Sequence, residues 1–305
     1  MSNPNNRCIE AIKTKEVRAN YLAAYEALLA KWPVAHEELL LPTRIGVTHV
    51  VASGSARAPP VVLLHAFQAT ALVWRFNVEA LSRHFRVYCV DVIGQGGKSA
   101  SARPIRSRGD FAGWMTDLFD ALGIARASLV GNSYGGFLAL SQASLTPDRV
   151  HRVVMINPAG TFVSFLPTLL RMIFGRLTQG LLVALRRKAA RPAPSVASTL
   201  GRNVVFSPEQ AEWAHLVSLV AFNGHMRPNA IAPSVLSAAE LRKIRAPVLL
   251  LLGDNELLYD PRELLRRAQA RMPALEGKII PGAHHIAAMA KPDEINARIV
   301  EFLHR

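Results

Sequence analysis

The sequence predicts an α/β fold: a mostly parallel sheet flanked by helices, with a helical cap insertion and an N-terminal helical extension. Three observations carry this. Apolar runs at 61–64, 87–90 and 248–252 have strand length and no regular polar alternation, as expected of strands buried on both faces, and 150–156 reads as a further strand. Segments with apolar residues at helical spacing fall between them, and such alternation implies a parallel sheet. His65, Asp91 and Ser133 all stand at the carboxyl ends of predicted strands, where such sheets place their sites.

The elements follow in order. Residues 11–31 carry Val17, Tyr21, Leu22, Tyr25, Leu28 and Leu29 at spacings of three and four, which predicts an amphipathic helix ending before Pro33. We assign residues 1–40 to the N-terminal extension, 41–160 and 240–305 to the core, and 161–239 to the cap. Residues 39–41 and 43–52 read as an opening hairpin around Gly46. The run at 61–64 leads directly into His65-Ala66-Phe67, and 68–83 contains a helix. The run at 87–90 leads into Asp91 and the loop 92–99. That loop ends Gly96-Gly97-Lys98-Ser99, like a phosphate-binding loop, but position 92 is valine where a Walker loop requires glycine. Residues 111–122 predict a helix stopped by Gly123. Beyond 160 the alternation gives way to a long apolar and basic helical pattern at 166–185 and further helical stretches around Trp213 and Phe222. Pro167, Arg171, Gly175, Arg176 and Gln179 interrupt the pattern at 166–185, so it reads as a lid over an apolar pocket rather than a membrane span. Lying on a lipid surface stays open. The sheet resumes at 248–252, followed by a helix at 264–272, a last strand at 278–280, the loop 281–285 and a closing helix at 294–303.

Composition bounds the function. With 305 residues, half of them hydrophobic, the chain can bury a large core. Lys plus Arg number 36 against 22 Asp plus Glu, so nucleic acid and anionic membranes have to be considered. The excess is concentrated: no acidic residue occurs between Arg149 and Pro208. Its positive charges are interleaved with Leu, Ile, Phe and Val and little aromatic stacking surface, which argues against nucleic acid as a partner. The two cysteines, Cys8 and Cys89, read as free thiols. The first thirty residues lack the pattern of a secretory signal, so a cytoplasmic location is the expectation.

The chemistry centres on residues 127–145, ASLVGNSYGGFLALSQASL, which read as strand, sharp turn and helix. Gly131-Asn132-Ser133-Tyr134-Gly135 fits G-x-S-x-G, a turn that lifts a serine above the sheet in a strained, positive-φ conformation. A Gly-rich connection alone would have no such role, so the context decides. A serine hydroxyl needs a base, a group to orient that base and donors for the oxyanion. Ser133 is followed by an acid at 256 and a histidine at 285, both after predicted strands, in the chain order nucleophile, acid, histidine. Of the two carboxylates after the strand at 248–252, Asp254 is still leaving the sheet, whereas Glu256 lies well into the loop. The expected oxyanion donors are the backbone N–H groups of Phe67 and Tyr134. His65 reads as a brace for its loop. Adjacent His284 and His285 point different ways and lack a partner cluster, so neither metal nor cofactor is expected.

These residues, GNSYGG, His65-Ala66-Phe67, DVIGQGGKS and PGAHH, resemble the α/β-hydrolase superfamily. KWPVAHEELLLPTRIGVTHVVASG, Pro158-Ala159-Gly160-Thr161-Phe162 and LLLLGDNELLYDP are similar to bacterial carboxylesterases of the naproxen-esterase type. The resemblance covers nearly the whole chain and is weakest between 165 and 230. It implies a Ser133, Glu256, His285 triad, with Glu256 matching the family's acid. Ala66 and His284 stand where the family usually has glycine, which could alter pocket shape.

The expected activity is therefore hydrolysis of an apolar small-molecule carboxylic ester through an acyl-enzyme. Two alternatives stay open: a carbon–carbon bond hydrolase of ring-cleavage products, which usually carries aspartate as its acid, and a non-catalytic ligand-binding protein of this fold. A haloalkane dehalogenase needs a carboxylate where Ser133 stands. A homodimer is left open.

Overall fold

The computed structural model describes residues 14–164, 205–221 and 229–305. Its first helix, α1 (Lys15–Leu29), starts where the Thr14 side chain accepts the Val17 N–H, and it buries Tyr21, Tyr25, Leu28 and Leu29 along one face. Residues 11–13 of the predicted helix lie outside the described residues. Strands β1 (His36–Thr43) and β2 (Gly46–Ser53) form an antiparallel hairpin. Residues 36–40, grouped above with the N-terminal extension, thus belong to the sheet. Strand β1 lies at the sheet edge, and its first residues, His36, Glu37 and Glu38, are exposed, so no apolar run marks the start.

The remaining strands are β3 (Pro60–Leu64), β4 (Arg86–Val90), β5 (Ala100–Ser101), β6 (Ala127–Asn132), β7 (Val150–Ile156), β8 (Val248–Gly253) and β9 (Glu276–Ile280). The sheet runs β1-β2-β4-β3-β6-β7-β8-β9, with β5 paired to β2. All pairings from β4 to β9 are parallel, whereas β2 is antiparallel to β1, β4 and β5. The chain moves from β3 outward to β4 and then returns to β6 on the other side of β3. That reversal places the carboxyl ends of β3 and β6 side by side, the position where open α/β sheets bind ligands.

A short 3₁₀ helix (Ala71–Phe76) precedes α2 (Val78–Ser82), so the helix expected within 68–83 is split at Asn77. Next come α3 (Arg108–Ala121), α4 (Tyr134–Leu145) and α5 (Pro208–Ala221). The last four are α6 (Ala238–Leu241), α7 (Pro261–Arg271), α8 (Ala287–Ala290) and α9 (Pro292–His304). Helices cover both faces. Leu249 and Leu251 of β8 join the core under α1, α2, α5 and α9, while Val248, Leu250 and Leu252 join the core under α3, α4 and α7. Two buried faces explain why this strand reads as an unbroken apolar run. Of the predicted cap, α5 contains Trp213 as expected, whereas the pattern at 166–185 and Phe222 lie outside the described residues. Among the described residues, no helix is long and apolar enough to cross a membrane.

Candidate active site

Ser133 occupies the single residue between β6 and α4, with φ 53° and ψ −112°. The bend is held from outside: the Ser133 N–H donates to Ile156 O (2.8 Å), and Ser133 O accepts the Ala159 N–H (3.1 Å). The flanking glycines are steric requirements. A Cβ on Gly135 would lie 2.0 Å from Leu64 O, and one on Gly131 would lie 2.2 Å from Gly135 O. The strand and the helix can therefore pass each other only without side chains there. Among the described residues the non-glycine positive-φ positions are Gln68, Ser133 and Asn157. They follow β3, β6 and β7, three adjacent strands, and such conformations concentrate at sites whose surroundings over-determine them.

The structure brings Ser133, Glu256 and His285 together. His285 Nε2 lies 2.8 Å from Ser133 Oγ, and His285 Nδ1 lies 2.7 Å from Glu256 Oε2. The Glu256 side chain is fully buried. Its other oxygen, Oε1, accepts the backbone N–H groups of Leu257 (2.7 Å) and Leu258 (2.9 Å). Burial alone would raise the Glu256 pKa, but the charge and hydrogen bond of His285, with those two N–H groups, hold it below the usual glutamate value. An ionised carboxylate only accepts, so His285 donates from Nδ1. Its Nε2 is then free to accept from the Ser133 hydroxyl. Asp254 is exposed, and its N–H donates to Ile280 O (3.2 Å), which keeps it at the strand end. The carboxylate at His285 is thus Glu256.

The two residues expected to supply the oxyanion donors touch through their rings. Tyr134 is the first residue of α4, and its ring meets Phe67 edge-on at 5.7 Å. Among the described residues neither the Phe67 nor the Tyr134 N–H has an acceptor. The loop carrying Phe67 is pinned on either side: Gln95 Oε1 accepts the Gln68 N–H (3.0 Å), and His65 Nδ1 donates to Ala66 O (2.8 Å). His65 Nε2 accepts the Val92 N–H (2.9 Å), so the ring bridges the loops after β3 and β4. Complete burial pushes the His65 pKa down, matching the neutral tautomer these partners require. His284 Nδ1 accepts the Ile286 N–H (3.2 Å), and burial lowers its pKa, with adjacent His285 adding to the effect. Tyr134 Oη accepts the Ile231 N–H (3.2 Å), and burial pushes this phenol up to about 12.

Two features escaped the sequence reading. Asp91 is the buried hub of a charged cluster. Its Oδ2 accepts from Tyr25 Oη (2.8 Å), His49 Nδ1 (2.9 Å) and Lys98 N (2.8 Å), and its Oδ1 accepts from Ala71 N (2.7 Å). His49 Nε2 faces Glu38 Oε2 (2.9 Å), so both ring nitrogens face carboxylates, an arrangement that favours the imidazolium. Lys98 Nζ pairs with Glu26 and Glu38, each at 2.6 Å, and Ser99 Oγ donates to Asp91 O. The lysine and serine that resemble a phosphate loop are thus engaged inside the protein. The second feature is Asn157, whose amide reaches both His285's loop and the end of β8. The only sequence signal for either was an acid or amide placed directly after a buried strand.

Comparison with known proteins agrees with this fold. A family model described as the alpha/beta hydrolase fold matches residues 59–292. Carboxylesterase YbfK of Bacillus subtilis (strain 168) is 33% identical over 289 residues, covering 93% of either chain. A second carboxylesterase of that organism, nap, is 33% identical over 285 residues, covering 92% of this chain and 91% of its own. The crystal structure of naproxen esterase (carboxylesterase NP) from Bacillus subtilis superposes with a TM-score of 0.80 at 31% identity, covering 95% of this chain and 99% of its own.

Proposed function

The chain belongs to the alpha/beta hydrolase fold family, and on that premise we propose that it is a carboxylesterase-type serine hydrolase acting through a Ser133 acyl-enzyme. The observation that carries the reading is the unbroken chain of hydrogen bonds from buried Glu256 through His285 to Ser133.

In the proposed reaction, Ser133 Oγ attacks the ester carbonyl while His285 Nε2 takes its proton. The Phe67 and Tyr134 N–H groups receive the oxyanion. His285 returns the proton to the departing alkoxide, releasing the alcohol and leaving the acyl group on Ser133. Water then repeats the sequence, with His285 as base, and frees the acid. Glu256 stays ionised, holds His285 in the correct tautomer and balances the imidazolium formed in each half-reaction.

Exposed Phe67, whose ring packs on Tyr134 next to Ser133, favours a substrate with an apolar group near the scissile bond. The test is turnover of a short-chain nitrophenyl ester. We expect the wild type to hydrolyse it and Ser133→Ala to lose several orders of magnitude in kcat, as when a triad serine is removed. Equal turnover by folded Ser133→Ala would refute the reading.

A further inference from the structure

We propose that Asn157 is a positioning residue that sets the alignment of His285 on Ser133 by tying together the backbone segments carrying the proposed triad. The inference rests on the triad reading above.

Asn157 is fully buried just past the end of β7, between the strand that leads to Ser133 and the strand that leads to Glu256. Its side chain uses both amide functions. Nδ2 donates to His284 O (3.0 Å) and to His285 O (2.9 Å), while Oδ1 accepts the Gly253 N–H (2.8 Å) at the end of β8. The orientation of the amide is fixed by these partners, because the opposite one would set an oxygen against two carbonyls and an NH₂ against an N–H. On its other side the same segment grips the nucleophile: Ile156 O accepts the Ser133 N–H, and Ala159 N donates to Ser133 O. One short stretch, 156–159, thus contacts the backbone at Ser133, at His285 and at the strand end that precedes Glu256.

The backbone at Asn157 is left-handed, with φ 44°. Asparagine tolerates that conformation better than most residues. Its main-chain N–H donates to Leu251 O (2.9 Å), which continues the β7/β8 pairing and leaves the side chain to span the gap to the histidine loop. Among the described residues, the direct side-chain links to His285 run only through the ring, to Glu256 and Ser133. Asn157 is what anchors the main chain behind that ring. Loss of this tie leaves the relay groups present but free to drift. Displacement of a reacting group by about 1 Å can cost about a hundredfold in rate.

The substitutions that test this are Asn157→Gly and Asn157→Asp. Glycine accepts the left-handed φ and removes the amide without adding charge. Aspartate keeps the shape and the acceptor but sets a carboxylate oxygen against two carbonyls. Kinetics on a short-chain nitrophenyl ester are normalised to sites titrated with a fluorophosphonate, and the downfield Nδ1–H proton of His285 is followed by NMR. We expect kcat per titrated site to fall about a hundredfold in both variants with KM changed by less than about threefold, and the downfield proton to shift or broaden. The fluorophosphonate rate should fall in parallel with kcat. Unchanged kcat in folded Asn157→Gly, or an effect confined to KM, overturns the proposal. Failure of both variants to fold overturns it too, since Asn157 would then serve folding rather than alignment. Wild-type protein that leaves Ser133 unlabelled would instead overturn the triad reading itself.

Discussion

At the scale of single residues, the site turns on which carboxylate faces His285. Two acids follow β8, and their position separates them: Asp254 is exposed at the strand end, whereas Glu256 is buried with its oxygens divided between His285 and two backbone N–H groups. Glu256→Gln keeps the size of the side chain but loses the charge that balances the imidazolium, and it can turn an NH₂ toward Nδ1 and reverse the tautomer. We therefore expect Glu256→Gln to lower ester turnover by about ten-thousandfold, as for the equivalent change in a well-studied triad, and Asp254→Asn to be mild. Steady-state kinetics of the two folded variants check this, and the reverse order of effects would move the acid to Asp254. Ser133 and Glu256 were legible in the sequence because each follows a buried strand whose unbroken apolar run reveals where it ends, and His285 because it lies in the loop after the short last strand. Asn157 also follows such a run, but an asparagine before a proline reads equally well as a turn. Its partners lie at 253 and 284–285, remote in the chain, so its role becomes visible only in three dimensions.

At the scale of elements, α1 is held by more than apolar packing. Tyr25 donates to buried Asp91, Tyr21 Oη accepts the Gly97 N–H, and Lys98 reaches Glu26 on the same helix. The helical spacing of Tyr21 and Tyr25 predicted a buried face, but period cannot show that two of its aromatic residues bring hydroxyls to a charged cluster. The sequence likewise missed β5, α6 and α8, which are two to four residues long and too short for any period to register. The Asp91 cluster has a pH signature. Burial raises the Asp91 pKa, but the hydrogen bonds and charge of His49, with help from His65 and the Ala71 N–H, leave it below the usual aspartate value. Burial lowers the His49 pKa, but Asp91 and Glu38 leave it above the usual histidine value. The aspartate's contribution to stability is present above its unfolded pKa and is lost as pH falls through its lowered folded value. The histidine's is complete below its unfolded pKa and is lost as pH rises through its raised folded value. Both act together between about pH 4 and about pH 6.5, the unfolded reference values. The difference in Tm between wild type and His49→Gln should accordingly be largest in that window and shrink as the pH rises past His49's raised value. A difference that stays constant from about pH 5 to about pH 9 would mean that His49 is not a buried cation.

For the whole molecule, a formal charge of +14 invites a nucleic-acid reading, and the placement of the charge argues against it. In the described residues several arginines are engaged with acids, as in Arg44–Asp117, Arg86–Glu37, Arg149–Asp120 and Arg305–Glu276. The basic residues from 171 to 202 lie outside the described residues, and there the apolar interleaving carries the expectation. Titration with DNA or RNA should therefore show no tight binding, and a steep loss of measurable affinity with rising salt would contradict this. What unifies the molecule is the sheet, whose order sets the loops after β3, β6, β7, β8 and β9 side by side and so assembles the site from segments more than two hundred residues apart in the chain. On the proposed reading, this assembly makes Ser133 a covalent nucleophile. The most direct test is intact-protein mass spectrometry after reaction with a fluorophosphonate, followed by peptide mapping. One phosphonyl adduct is expected, on the peptide carrying Ser133, with ester turnover lost in proportion to its yield. An adduct on another residue with Ser133 unmodified, or full modification of Ser133 with turnover intact, would contradict it.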